Sequence, residues 1–161
     1  MSILNVDDSW CNQNYDLKTV PSFIPPIAKG KVLKVYDGDT FTIVTKLYKT
    51  DQVYQFQVRL NGLDTAELKG TKDKVKKMSI IARDKLSGMI FNKIVTFKNL
   101  SYDKYGRILA EVYVDNIHVN KWMVDNNLAL SYDGGHKDDP NIWNEIFDKH
   151  WQNYYDENYE L

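Results

Sequence analysis

The hydrophobic period of this chain changes three times, and each change predicts a new kind of element. Gly30–Tyr36 and Thr40–Thr45 are short, β-branched and alternating, with the turn dipeptide Asp37-Gly38 between them; they predict two strands. Polar Lys49-Thr50-Asp51-Gln52 predicts a turn. Tyr54–Leu60 alternates with period two, which predicts a third strand with Tyr54, Phe56, Val58 and Leu60 on one face and Gln55, Gln57 and Arg59 on the other. From Val75 the apolar residues fall at steps of three and four (Met78, Ile81, Ala82, Leu86, Met89, Ile90), predicting a helix to about Asn92. Period two then returns. Ile94–Phe97 and Arg107–Val114 predict a fourth and a fifth strand, either side of the turn Asp103-Lys104-Tyr105-Gly106. Asn120 is placed to cap a short helix over Lys121–Asn127, and Asn141 a last helix carrying Ile142, Trp143, Ile146 and Phe147 toward Trp151.

Five short strands, one helix between the third and fourth, and helices at the end make an α+β order rather than a doubly wound parallel sheet. So few strands bury their edges best by closing into a barrel. The expectation is therefore a five-stranded OB-fold β-barrel with about three helices. Residues 1–27, with Pro21, Pro25 and Pro26, read as an N-terminal extension whose Trp10, Tyr15 and Phe23 either strap it to the body or leave it loose. Residues 28–137 read as the folded domain. Residues 138–161 read as an acidic helical tail packed on or flanking it.

Composition narrows the function classes. In 161 residues, 43% are hydrophobic and 27% charged, enough to build a core, which excludes wholesale disorder. No apolar stretch has the length of a membrane span, so no membrane partner is expected. The start has no basic and apolar leader pattern, and the expected location is intracellular. Cys11, the single cysteine, excludes an intrachain disulfide and a cysteine-built zinc site. The net charge of -1 conceals a division: residues 28–137 hold 19 Lys and Arg against 12 Asp and Glu, a net of +7, while 138–161 hold one Lys against seven acids. A basic body points to an anionic partner such as nucleic acid, although a charge of this size also serves as an ordinary solubilising surface.

The polar residues at strand ends carry the candidate chemistry. Asp39 follows the Asp37-Gly38 break, Asp64-Thr65-Ala66-Glu67 follows the third strand, Arg59 lies within that strand, and Arg107 opens the fifth. A meander of the first three strands brings Asp39 and Asp64 together. Two carboxylates with a backbone carbonyl form a hard oxygen site that suits Ca²⁺. Two arginines beside it can fork onto a phosphate, and Glu67 can handle a water. Singly, each piece also has a structural reading: Asp-Gly is a turn dipeptide, Asp64-Thr65 a cap or turn, Asp103–Gly106 a hairpin. The first loop is not an EF-hand, since the later acidic positions are missing. His118, His136 and His150 have no metal-ligand spacing, and no Gly-x-Ser-x-Gly elbow exists for a serine hydrolase.

Taken together, Tyr36-Asp37-Gly38-Asp39-Thr40, then Val58 to Glu67 (VRLNGLDTAE), then Asp103-Lys104-Tyr105-Gly106-Arg107 resemble the staphylococcal nuclease family, over about Gly30 to Gly135. The resemblance implies an OB barrel with helices and a Ca²⁺-dependent, sugar-nonspecific nuclease. Such an enzyme would hydrolyse DNA, preferring single strands, and RNA, to leave 3′-phosphate ends. It implies Asp39, Asp64 and the Thr65 carbonyl as calcium ligands. Glu67 would position or activate the attacking water, Arg59 and Arg107 would grip the scissile phosphate, and Lys104, Tyr105 and Tyr132 would line the nucleotide pocket. DNA and RNA are the expected partners of a monomer, with a protein partner open to the N-terminal or acidic C-terminal extension. Departures from the pattern are Ala66 in place of proline, which leaves the loop less stiff, an insertion over Tyr48–Tyr54, and a short loop at Lys69–Lys74. The alternative is a noncatalytic OB-type module that binds nucleic acid or protein.

Overall fold

The computed structural model describes residues 7–68 and 73–160. Most of the basic loop expected at Lys69–Lys74 therefore lies outside the described residues, as does the start of the chain. The first three strands, β1 (Lys29–Val35), β2 (Thr40–Lys46) and β3 (Val53–Leu60), form the expected antiparallel meander, in which Arg59 stands opposite Thr40. There follow a two-residue strand β4 (Leu63–Asp64), helix α1 (Asp73–Ile90), strands β5 (Ile94–Tyr102) and β6 (Ile108–Val114), and the short strand β7 (Ile117–His118). Helix α2 (Val119–Asp125), strand β8 (Leu130–Ser131), helix α3 (Ile142–Ile146), a π-helical stretch Phe147–Trp151 and helix α4 (Gln152–Tyr159) complete the order.

β1 pairs with β5, β5 with β6, and β6 runs parallel to β3, so the ring β3-β2-β1-β5-β6 closes. This is the OB-type barrel of five strands. Alternation fills it: β6 buries Ile108, Ala110, Val112 and Val114 in strict period two, facing Val32, Phe41, Ile43, Val58 and Leu60. Helix α1 covers one side with Val75, Met78, Ile81, Ala82, Leu86 and Ile90, the predicted helical stripe.

Four details differ from the pattern-based expectation. The apolar face of β3 is buried only at Val58 and Leu60, while Tyr54 is 42% exposed. β6 pairs with β3 only over Val58–Leu60, so the outer half of the β2–β3 hairpin has no opposite wall. β5 continues to Tyr102 through a register break between Lys98 and Ser101, where Asn99 has a φ of 53°. Asn120 does not cap a helix. It is buried one residue inside α2, its Oδ1 accepting the Val112 N–H (2.9 Å) and its Nδ2 donating to the carbonyls of Asn61 (2.9 Å) and Ala110 (3.0 Å). A buried amide that satisfies three backbone groups is worth more to the fold than an exposed cap. Asn141 precedes α3 but makes no side-chain cap bond; the Asp139 carboxylate instead accepts the Asn141 N–H at 2.9 Å.

The acidic C-terminal segment packs on the basic face of α1. Trp143 and Phe147 enter the core, Lys74 pairs with Asp148 and Lys77 with Glu160 (each 2.7 Å), and the Lys85 ammonium lies 4.0 Å from the Tyr154 ring centre. Of residues 7–27 only Pro25 and Ile27 are buried; Trp10, Tyr15 and Phe23 all stay exposed, so the aromatics do not strap this segment down. Among the described residues, no helix is long and apolar enough to cross a membrane.

Candidate active site

One end of the barrel gathers the strand-end polar residues. In the β1–β2 turn, Asp37 Oδ1 accepts the N–H groups of Asp39 (3.1 Å) and Thr40 (2.8 Å). Gly38 lets this turn lie flat against its surroundings: a Cβ there would stand 2.8 Å from Ala82 Cβ and 3.0 Å from Thr65 Cγ2. Asp39 is thereby fixed between α1 and the loop after β4, and its carbonyl accepts the Leu60 N–H (2.8 Å). After β3 the chain turns through Gly62 (φ 77°), which Leu63 and Asp64 follow as β4, paired with Leu130 and Ser131 of β8. Asp64 is neither a cap nor a plain turn residue but the end of a two-residue ribbon whose partner lies far along the chain, and Thr65 follows it.

The two candidate metal-ligand carboxylates converge on one nitrogen. Arg59 Nη2 lies 2.7 Å from Asp39 Oδ2 and 3.3 Å from Asp64 Oδ1, with all three side chains largely buried. Thr40 Oγ1 donates to Asp39 Oδ1 at 2.8 Å. Burial pushes the Asp39 carboxyl up to about 7, against the pull of the Arg59 guanidinium. The desolvated carboxylate is therefore short of positive charge even with its arginine in place.

Lys137 completes the acid side, and sequence reasoning missed it. Its Nζ lies 3.0 Å from Asp64 Oδ1 and 2.9 Å from Glu67 Oε1. Partial burial alone would lower its pKa, but the bonds to Glu67 and Asp64 outweigh that and hold the ammonium above its usual value. No local signal could have found it, because 70 residues separate it from Glu67. Ala66 is buried between Thr65 and Glu67, while the Glu67 side chain remains 67% exposed.

Arg107 approaches from the opposite side. Its Nη1 lies 3.4 Å from Thr40 Oγ1, so both arginines border the same threonine. Arg107 Nε donates to Asp103 Oδ2 at 2.6 Å, while Asp103 Oδ1 accepts the N–H groups of Tyr105 (2.8 Å) and Arg107 (2.9 Å). Partial burial tends to raise the Asp103 pKa, but these bonds outweigh it and hold the carboxyl below its usual value. Tyr105 stands beside this turn, 72% exposed, its ring centre 5.4 Å from the Arg107 guanidinium and 5.1 Å from Lys104 Nζ. Tyr132 follows β8 beside the Gly62 turn: its N–H donates to the Gly62 carbonyl and its hydroxyl to the Gly135 carbonyl, both at 2.9 Å. Asp39, Asp64, Glu67, Arg59 and Arg107 thus share one end of the barrel, with Lys104 and Tyr105 beside Arg107 and Tyr132 tied to the Gly62 turn instead.

The donor chemistry fits a hard cation. Asp39 and Asp64 present carboxylate oxygens to one shared point, where a cationic nitrogen of Arg59 now sits, and Thr65 follows directly with its carbonyl. Among the described residues there is no grouping of three or more His, Cys, Asp or Glu side chains in metal-holding geometry.

Comparison with known proteins places these residues in a family. The family described as staphylococcal nuclease homologue matches residues 57–147, a span that holds Arg59, Asp64, Glu67, Arg107 and Lys137. A protein named an uncharacterized endonuclease from Escherichia coli is 30% identical over 105 residues, covering 65% of this chain and 61% of its own length. One of the same name from Haemophilus influenzae is 31% identical over 102 residues, covering 63% and 51%. An uncharacterized protein from Bacillus anthracis is 36% identical over 105 residues, covering 63% and 46%. The chain therefore spans about half to three-fifths of the length of the relatives it matches.

Proposed function

The chain belongs to the staphylococcal nuclease family, and from that premise we propose that it is a Ca²⁺-dependent nuclease that hydrolyses phosphodiester bonds of single-stranded DNA and of RNA, leaving 3′-phosphate ends. The observation that carries this reading is the convergence of Asp39 and Asp64 on one guanidinium nitrogen, with Arg107 facing the same Thr40. The names of two relatives, both endonucleases, agree with it.

Asp39, Asp64 and the Thr65 carbonyl would hold the ion. Bound Ca²⁺ would supply Lewis-acid polarisation of a phosphate oxygen and a template for water. The chain's own groups do the rest. Arg107, kept in orientation by Asp103, offers fixed planar donors to a phosphate, and Arg59 offers a second set once the charge between Asp39 and Asp64 is shared with the ion. These donors strengthen as negative charge builds on the phosphoryl oxygens. Glu67, exposed beside Asp64, orients a water and accepts its proton. The Tyr105 ring offers a base-stacking face next to Arg107.

A noncatalytic binding module would have no physical use for Glu67 beside Asp64 and two arginines. The deciding experiment is degradation of single-stranded DNA by the purified chain with Ca²⁺ or with excess chelator, beside Glu67→Gln. Cleavage that requires Ca²⁺ and falls sharply in the variant is expected. A folded wild-type chain that leaves the DNA intact at millimolar Ca²⁺ would overturn the nuclease reading.

A further inference from the structure

The acid side of the site already contains two cations, and they differ in how freely they can leave. Arg59 is 14% exposed and lodged between Asp39 and Asp64. Lys137 is 48% exposed and comes from the segment between β8 and α3, which has no regular secondary structure from 132 to 139. That segment is tied mainly to itself: the Tyr132 hydroxyl bonds Gly135 and the Asp133 carboxylate accepts the Gly135 N–H at 2.9 Å. The Lys137 ammonium nonetheless reaches two carboxylates at 2.9–3.0 Å, one of them the candidate ligand Asp64.

We propose that Lys137 is a resident counter-cation of the site, which competes with the divalent ion for Asp64 and so sets the ion concentration at which the site loads. The proposal rests on the Ca²⁺ reading of the Asp39–Asp64 pair. A divalent ion placed on Asp64 meets the ammonium at short range. Either the lysine stays and repels the ion, or it withdraws from Asp64 and that ion pair is given up; both weaken apparent ion affinity. Arg59 meets the ion too, but at 14% exposure it stays inside the site when the ion shares the charge of Asp39 and Asp64, whereas Lys137 can leave for water. Lys137, half in water, can leave, and the bond it gives up to Asp64 is the cost the ion must meet. When it leaves Asp64 it can stay with Glu67, and it then also restrains the carboxylate that handles the water. Lys137 is a positioning residue, acting through the two carboxylates.

The test is titration of the full chain with CaCl₂ by calorimetry, without nucleic acid, for the wild type, Lys137→Ala, Lys137→Gln and Lys137→Arg. Removing the charge should tighten Ca²⁺ binding about tenfold in both neutral variants, while arginine, which keeps the charge, should stay within about twofold of the wild type. Two neutral variants guard against a folding defect in one of them. Unchanged or weaker binding in folded neutral variants, beside a wild type that binds, overturns the counter-cation role and leaves the ion site standing. Absence of binding at millimolar Ca²⁺ in all four chains overturns both.

Discussion

Arg59 and Arg107 border the same threonine, yet the chain holds them in opposite ways. Arg59 on β3 is balanced by Asp39 from the β1–β2 turn and Asp64 from β4, residues brought to it by barrel closure and the β4–β8 ribbon. Arg107 is fixed by Asp103, four residues earlier in the same turn, whose other oxygen binds the turn's own backbone. The difference lies in what happens when the site's charge changes. The partners of Arg59 are the proposed ion ligands, so its orientation and charge balance respond to loading. Asp103 lies outside the proposed ligand set, so the main anchor of Arg107 stays in place whether or not an ion is bound, and Arg107 meets the ion side only through its 3.4 Å contact with Thr40. One arginine is paired directly with the proposed ion ligands, and the other is anchored mainly outside them.

The largest effects should come from removing each arginine. Arg59→Ala and Arg107→Ala should each lower the turnover of single-stranded DNA by about two to three orders of magnitude, the usual consequence of losing a preorganised donor. They should part company in stability. Arg59→Ala leaves the Asp39 carboxylate buried without its arginine and should lower the urea midpoint by far more than Arg107→Ala, whose partner Asp103 keeps two backbone bonds. Equal midpoints for the two variants would break the comparison.

The same division decides what could be read from the sequence. The Asp103–Arg107 turn, the alternation of β6 and the stripe of α1 are local patterns, visible because backbone geometry repeats every two or 3.6 residues. Closure of the barrel follows from edge burial in a chain with only five main strands. Asp39, Asp64, Arg59 and Arg107 were legible as strand-end residues, and the family resemblance supplied their roles. Nonlocal contacts were not legible. Lys137 on Glu67, the β4–β8 ribbon, and Asn120 bonding Asn61 depend on segments dozens of residues apart, and Asn120 was misread because a cap is the local use of asparagine. Asn120→Ala probes that hidden scaffold next. Losing three bonds of a buried amide should cost about 2–3 kcal/mol in urea unfolding. It should also loosen the Asn61 turn that leads to Asp64, weakening Ca²⁺ binding while the Arg107 turn stays intact. A full-strength ion site in a destabilised Asn120→Ala chain would show that Asp64 is held by other contacts.

The acids on the two sides should give pH dependences of opposite sign, each a smaller effect. The Asp39 carboxyl is raised from 3.8 to about 7 by burial, so the fold binds its proton more tightly than the unfolded chain does. Its contribution to stability is complete below 3.8 and is lost as pH rises through about 7. The Asp103 carboxyl is lowered, so its contribution is present above 3.8 and is lost as pH falls through its lower folded value. Urea midpoints of the ion-free chain should fall between pH 5 and pH 8, and Asp39→Asn should flatten that fall. Asp103→Asn should cost about 1–2 kcal/mol at neutral pH and much less in strong acid. A wild-type midpoint that rises from pH 5 to pH 8 would contradict the burial argument for Asp39.

The smallest effect tests whether Arg107 is anchored by Asp103 alone. Tyr105 is 72% exposed with its ring 5.4 Å from the Arg107 guanidinium, a placement that contributes about 0.5–1 kcal/mol when it is wet. If Asp103 fixes the arginine, Tyr105→Leu removes only a stacking surface for a nucleobase. KM for short oligonucleotides should then rise by about fivefold or less, with kcat unchanged. If the ring were instead what aims the guanidinium, kcat would fall with little change in KM, because the lost interaction would be one made in the transition state. Steady-state kinetics of Tyr105→Leu beside Asp103→Asn separates the two. A kcat loss in the tyrosine variant as large as in the aspartate variant would mean that the Tyr105 ring aims Arg107 as much as Asp103 does, and the contrast between the two halves of the site would dissolve.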